Sequence, residues 1–294
     1  MTVMTDTNSS VVPAPLAPFL TEPLRDLAAW TRYFRDAEVP VLTATSEAIE
    51  TLRAMEDDVD AGMLSEVIHS DPLMTLKVMA QVSSRRRADV STEVETITSS
   101  LLMMGISPFF RTFGLQPTLE DRLQDHPLAL YALKQLLVRA DRAGHFALGF
   151  AAHRGDLDGV VIHLAAVLHD FAEMLMWCHA PTLMLKIREL QIADPALRSA
   201  VAQHTVLNIE LDDLRQELMK LCHLPELLVR ISDGRHPDHP NVRNVLLAVR
   251  LARHTMHGWE NPALPDDVTD IATLLNASPR VTLGFLHKID HPAL

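Results

Sequence analysis

Glycine, aromatic residues and cysteine are all scarce in this chain of 294 residues, and each shortage narrows what the chain can be. Ten glycines and 5% aromatics, beside abundant Leu, Ala, Val and Met, favour helices over the turn-rich, aromatic-rich strands of a sheet protein. Two cysteines, Cys178 and Cys222, far apart in the chain, offer no disulfide framework. No charged and apolar leader precedes them, and no run reads as long and pure enough to span a bilayer. The expectation is a cytoplasmic protein with reduced thiols and no membrane span. Basic charge is also short: a net charge of −12 repels phosphate on average and argues against a nucleic-acid partner. The chain has no βαβ alternation, no glycine-rich phosphate loop, no Gly-x-Ser-x-Gly elbow and no repeat of fixed period, so nucleotide folds and nucleophilic hydrolases find no support.

What is present is apolar sequence at helical spacing. A hydrophobic content of 48% is ample for a sizeable core, and the pattern predicts an all-α chain. Residues 1–22 carry prolines, Ser, Thr and Asn without periodicity and read as a flexible or extended arm. Leu24, Leu27, Trp30 and Phe34 then predict an N-terminal helix within 23–36. Asp71-Pro72 is a helix start with a mechanism: Asp71 caps, and Pro72 stands at the first helical position, where its missing N–H costs nothing. Asp194-Pro195 reads as a second copy of that start. The apolar residues of the arm, Phe19 and Leu20 among them, either pack back on their own domain, the favoured outcome, or meet a partner or a second copy in a homodimer.

The informative stretch runs from Val160 to Met176. Val161, Leu164, Leu168, Phe171 and Leu175 form one helical stripe, and Ile162, Ala165, His169, Ala172 and Met176 a second beside it. Such a helix is apolar most of the way round and must be buried, so the adjacent His169 and Asp170 need a partner, a hydrogen bond or a metal. His145, His153 and His163 are the histidines near enough in sequence to assist. Of these, His153 and His163 read as surface or capping groups and His145 as a core histidine. The Cys178-His179 and Cys222-His223 dipeptides are poorly spaced for zinc, because adjacent helical residues point about 100° apart. Arg85-Arg86-Arg87 reads first as a solvated edge and second as a phosphate contact. The Met-rich segment 101–104 and the Met174/Met176 pair read first as core.

Several separated motifs resemble one family, the HDOD domain, a bacterial signalling module related to the HD phosphohydrolases. They are Val39-Pro40-Val41-Leu42, Ile68-His69-Ser70-Asp71-Pro72-Leu73-Met74 with its continuation to Ser84, Leu102-Met103-Met104-Gly105, Val167-Leu168-His169-Asp170, and His223-Leu224-Pro225-Glu226-Leu227. They stand in the family's order, and the resemblance implies a main domain over 37–260 that helices in 261–294 complete. The resemblance implies an N-terminal helical half packed on a degenerate HD-like half. It also implies a regulatory role through a signalling protein partner or a ligand, usually without catalysis, in a cyclic-dinucleotide, two-component or chemosensory pathway. An HD hydrolase holds its metal with an upstream His, the His-Asp pair and a distal Asp. Here the upstream position falls near Arg139 and the distal one near Arg253. Arginine offers no lone pair and keeps its charge, so no metal or cofactor is expected, and Asp170 is expected to pair with one of these arginines. Arg235-His236 stands where a His-His pair is common, which adds His236 to the candidate polar cluster of Arg139, His169, Asp170 and Arg253. The alternative is a divergent metal-dependent phosphohydrolase.

Overall fold

The computed structural model describes residues 16–85 and 96–290. Arg86 and Arg87 lie outside the described residues, and so does the side chain of Arg85, so the phosphate-contact reading has no structural counterpart here. Among the described residues there are seventeen α-helices and one isolated parallel bridge, Val41 with Thr118.

A first helix, α1 (Leu27–Asp36), is capped by Asp26 and followed by α2 (Thr43–Arg53), α3 (Ala61–His69), α4 (Pro72–Arg85), α5 (Ile97–Met104), α6 (Ile106–Thr112) and the single turn α7 (Leu119–Arg122). The second half begins with the longest helix, α8 (Pro127–Arg154), which ends on Gly155 in the left-handed region at φ 71°, where glycine carries no Cβ penalty. Then come α9 (Gly159–Val167), α10 (Phe171–His179), α11 (Pro181–Ala193), α12 (Ser199–Leu207), α13 (Leu211–Leu221), α14 (Glu226–Ile231), α15 (Pro240–His254), α16 (Leu264–Leu275) and α17 (Pro279–Asp290). Helix α8 is the mast of this half and packs most extensively against α9 and α15. The approach to α9 is close enough that a Cβ on Gly144 would lie 2.6 Å from Val167 Cγ2 and 2.9 Å from His163 Nε2. Helices α16 and α17 close the far side, held by Arg142 to Asp290 and by Trp259 Nε1 donating to Asp290 Oδ2 at 2.9 Å.

Helix α1 does not stay with its sequence neighbours. It packs on α13 of the second half, its Trp30 is fully buried, and the indole Nε1 donates to Leu207 O at 3.0 Å. Burying a Trp and meeting its one donor in the same place fixes the helix there. Residues 16–22 are likewise seated on the body. Arg122 lies over the Phe19 ring at 3.8 Å and donates to Ala17 O, and Leu20 N donates to His179 O at 2.8 Å. Residues 16–22 thus run without helix along their own domain, the favoured of the two outcomes for the apolar part of the arm, with cation–π and backbone bonds to their own chain; residues 1–15 lie outside the described residues.

Three expectations need correction. The stretch Gly159–His179 does have the length and apolarity to cross a membrane, but 67% of its most apolar window is buried inside the protein, as a core helix would be. Asp194-Pro195 does not start a helix: the Asp194 carboxylate accepts from Ala196 N and its carbonyl from Leu197 N, in an exposed turn, and α12 begins at Ser199. Leu102 and Met103 are exposed rather than core, at 71% and 43%, because α5 has only eight residues and turns only one side inward.

Asp71 carries the start that did form. Fully buried, it accepts from Leu73 N (2.9 Å) and Met74 N (3.2 Å) to cap α4, and from Leu42 N (2.7 Å) to hold the start of α2. Removing it strands three backbone donors, two or more of them buried. Asp71→Ala is therefore expected to lower unfolding free energy by about 2–4 kcal/mol, whereas Asp194→Ala should stay within about 0.5 kcal/mol. Urea unfolding of the two variants side by side checks this, and equal losses would overturn the assignment.

Candidate functional site

The predicted helix through His169 and Asp170 is in fact broken there. Residues 168–170 form a turn between α9 and α10, with Leu168 ending one helix and Asp170 preceding the other at φ −102°, ψ 19°. The break lifts the pair out of the helical repeat and frees the His169 carbonyl, which accepts from Arg215 Nη1 at 2.8 Å. Arg215 is 2% exposed on the inner face of α13 and also donates to Ser232 O at 3.2 Å.

Asp170 divides its two oxygens between two partners. Oδ1 meets His169 Nδ1 at 2.8 Å, and Oδ2 accepts from Arg139 Nη2 of α8 at 2.8 Å. The same Nη2 reaches Glu173 Oε2 at 3.5 Å, and Trp177 Nε1 donates to Glu173 Oε1 at 3.3 Å. Arg139 and Asp170 side chains are only 21% and 13% exposed. Burial alone would raise the Asp170 carboxyl, but the His169 hydrogen bond and the charges of His169, Arg139 and Arg253 outweigh it and hold the group well below its usual range. Glu173 goes the other way: burial and the Asp170 charge raise it, against the smaller pull of Arg139. Two carboxylates share one nearby guanidinium, and the one farther from it, Glu173 at 3.5 Å, keeps its proton longer.

Arg139, His169, Asp170, Glu173 and Arg253 border one cavity of about 450 Å³, completed by α11–α13. The structure thus brings four of the five candidate residues together. His236 is not among them: its ring is 75% exposed on the turn after α14, 3.9 Å from an Asp233 carboxylate already bound by Arg235 at 2.8 Å. The auxiliary histidines stand elsewhere too, and their roles are exchanged. His145 is 60% exposed beside Asp141 at 3.5 Å, while His163 is packed between His69 and His145, with ring centroids at 6.3 and 6.4 Å. Burial, then the neighbouring histidine charges, bring His163 down to about 4. Cys178 is fully buried, and burial pushes its thiol far up, while His179 Nδ1 is 3.0 Å from the Tyr33 hydroxyl.

A divalent cation does not fit this site. No group of three or more His, Cys, Asp or Glu that could hold a metal ion occurs among the described residues, and two guanidinium groups border the cavity, Arg139 already on Asp170 and Arg253 beside it. The arrangement is an internal ion-pair cluster with a cationic centre supplied by the chain. Sequence reasoning missed two of its members, Arg215 and Glu173. Both left a signal: Arg215 falls on the apolar stripe Leu211, Leu214, Leu218, and Glu173 stands inside the apolar run of α10.

The HDOD domain family model matches residues 39–237. No curated protein matches the chain. Among solved structures, the MmoQ response regulator from Methylococcus capsulatus superposes with a TM-score of 0.64 at 17% identity, covering 86% of this chain and 99% of that one. A virulence factor from Campylobacter jejuni gives 0.58 at 15% identity, covering 90% and 98%. At these identities the likeness shows the fold.

At neutral pH, Asp170→Asn should lower stability by about 2–4 kcal/mol, since it leaves the Arg139 guanidinium largely buried without its charge partner. The sign with pH follows from the lowered carboxyl: its contribution is present above the ordinary 3.8 and is lost as pH falls through the lower folded value. Acid unfolding of the native chain should thus contain a component below about pH 4 that the variant lacks. Glu173, being raised, has the opposite slope above its ordinary 4.5, so Glu173→Gln should cost less than Asp170→Asn at pH 7. Thermal melts from pH 2.5 to 7 decide both, and an Asp170→Asn melting temperature equal to the native one would sink the ion-pair account.

Proposed function

We propose, from the premise that this chain belongs to the HDOD domain family, that it is a non-catalytic signal-transduction module acting by binding a protein partner or a ligand. The observation that carries this reading is the Arg139 guanidinium on Asp170 Oδ2 at 2.8 Å, with Arg253 at the same cavity. An HD-type hydrolase uses its carboxylate and imidazole to hold a cation that activates water. Here the carboxylate is committed to an arginine, and a cation arriving beside two guanidinium groups meets repulsion instead of ligands. Family membership supports the regulatory role, and a cyclic-dinucleotide, two-component or chemosensory pathway is the setting that such modules suggest.

The rival reading is a divergent phosphohydrolase, favoured by the retained His169–Asp170 pair at 2.8 Å. Metal analysis of the purified chain together with a screen of nucleotide and cyclic-dinucleotide hydrolysis separates the two. The expected result is less than about 0.1 equivalent of Mn or Fe after dialysis and no turnover above buffer, as a site short of two ligands should give. Stoichiometric metal with turnover that disappears in His169→Ala would overturn the proposal.

A further inference from the structure

A second cavity, of about 550 Å³, lies between the two halves of the fold and is separate from the Arg139 cluster. Its apolar wall comes from both halves: Phe34 of α1 and Leu76 of α4 on one side, Phe171 and Leu175 of α10 and Leu218 of α13 on the other. The polar end is built around Lys77, whose side chain is 12% exposed. Its ammonium donates to Glu38 Oε1 at 2.5 Å, to Gln116 Oε1 at 2.5 Å and to Val39 O at 2.9 Å. Burial brings the ammonium down from its usual value, against the pull of the Glu38 and Asp71 charges.

Two of these three acceptors are fixed and one is not. Gln116 is 8% exposed, and its amide nitrogen is tied to Gly114 O at 2.8 Å; Val39 O is backbone. Glu38 is the exception, 34% exposed at the rim, so its carboxylate can turn to water and leave one place on Lys77 to an incoming acceptor. Of the charged side chains that line the chamber, Arg35 is paired with Asp36 at 2.9 Å, which leaves Lys77 facing Glu38; once Glu38 turns outward, the Lys77 ammonium is the charge that a ligand carrying a single negative charge would meet. The volume falls within the ordinary range for small-molecule sites, about 300–1,000 Å³, and an apolar chamber with a few convergent polar groups at one end is their usual form.

We propose that this cleft binds a small amphipathic carboxylate, with its aliphatic or aryl body against Phe171, Leu175 and Leu218 and its carboxylate on Lys77 in place of Glu38. The site has a route to the cluster already described, because α10 is the wall between them: Phe171 and Leu175 face the cleft, while Asp170 and Glu173 border the other cavity. A ligand in the cleft bears on the helix that holds the Asp170 end of the ion pair. This assignment goes beyond the signalling reading by naming the chemistry of an input, and it stands or falls on direct binding, independently of metal content or turnover.

Calorimetric titration of the full chain with decanoate, with 1-decanol as the uncharged counterpart, tests it. Decanoate should bind saturably at one per chain and about tenfold or more tighter than decanol, as a charge-assisted contact in a desolvated site requires. Lys77→Met should bring decanoate down to the level of decanol and leave decanol unchanged. Ala80→Trp, a substitution of a half-buried cleft residue on α4, should fill the chamber and abolish both, with circular dichroism and melting temperature confirming that the variant is folded. 3-Phenylpropionate run in parallel tells an aryl from an aliphatic preference. Absence of saturable decanoate binding to the native chain overturns the proposal, and so does decanol binding as tightly as decanoate or undiminished decanoate binding in folded Ala80→Trp. None of these outcomes touches the test for metal and turnover.

Discussion

A carboxylate and a guanidinium that are both largely withdrawn from water tolerate few arrangements, and the pairing of Asp170 with Arg139 governs how the second half of this molecule is put together. Left in a continuous helix, Asp170 would have to satisfy a buried charge from within an apolar stripe. The chain instead breaks between α9 and α10, so that one carboxylate oxygen meets His169 and the other reaches across to α8. The break frees a carbonyl, and Arg215 of α13 takes it. Four helices are thus tied to one turn by groups that would each be costly alone. The arginine sets a fixed positive charge beside the carboxylate, and a guanidinium has no lone pair to offer.

The same turn sets how the two halves face each other. Helix α10 leaves it with Phe171 and Leu175 toward the N-terminal half and Asp170 and Glu173 toward α8 and α11–α13, so one helix is the wall of two chambers of opposite character. The N-terminal half is braced in its turn by Asp71, which joins the starts of α2 and α4, and by Lys77 at the polar end of the cleft. Helix α1 completes the join by crossing to α13 with Trp30 bonded to Leu207. The halves are therefore linked by directional polar contacts around an incompletely filled cleft, an arrangement that can be read by a ligand as well as by a partner.

Much of this was legible in the residues. The helical class followed from composition and spacing, the cap at Asp71-Pro72 from local chemistry, and the pairing of Asp170 with an arginine from the family resemblance, which put Arg139 and Arg253 near the pair. The misreadings share a cause. Asp194-Pro195 has the same two residues as Asp71-Pro72, yet its turn is exposed and no helix begins there. His163 and His145 exchanged their expected environments because Gly144 lets α9 approach α8 closely enough to enclose one ring and leave the other outside.

By itself, the sequence determined what is set by the chemistry of neighbouring residues: that the chain is helical, where an aspartate and a proline can begin a helix, and that His169 and Asp170 could not be buried bare. Only the tertiary structure decided which group answers that demand, where the apolar run breaks to allow it, and that a cleft with a lysine at its end remains between the halves. Those outcomes depend on side chains such as Arg139 and Asp170, or Lys77 and Gln116, that are more than thirty residues apart and become neighbours only when the helices pack. Periodicity along one segment carries information about which face turns inward, and none about what that face will meet.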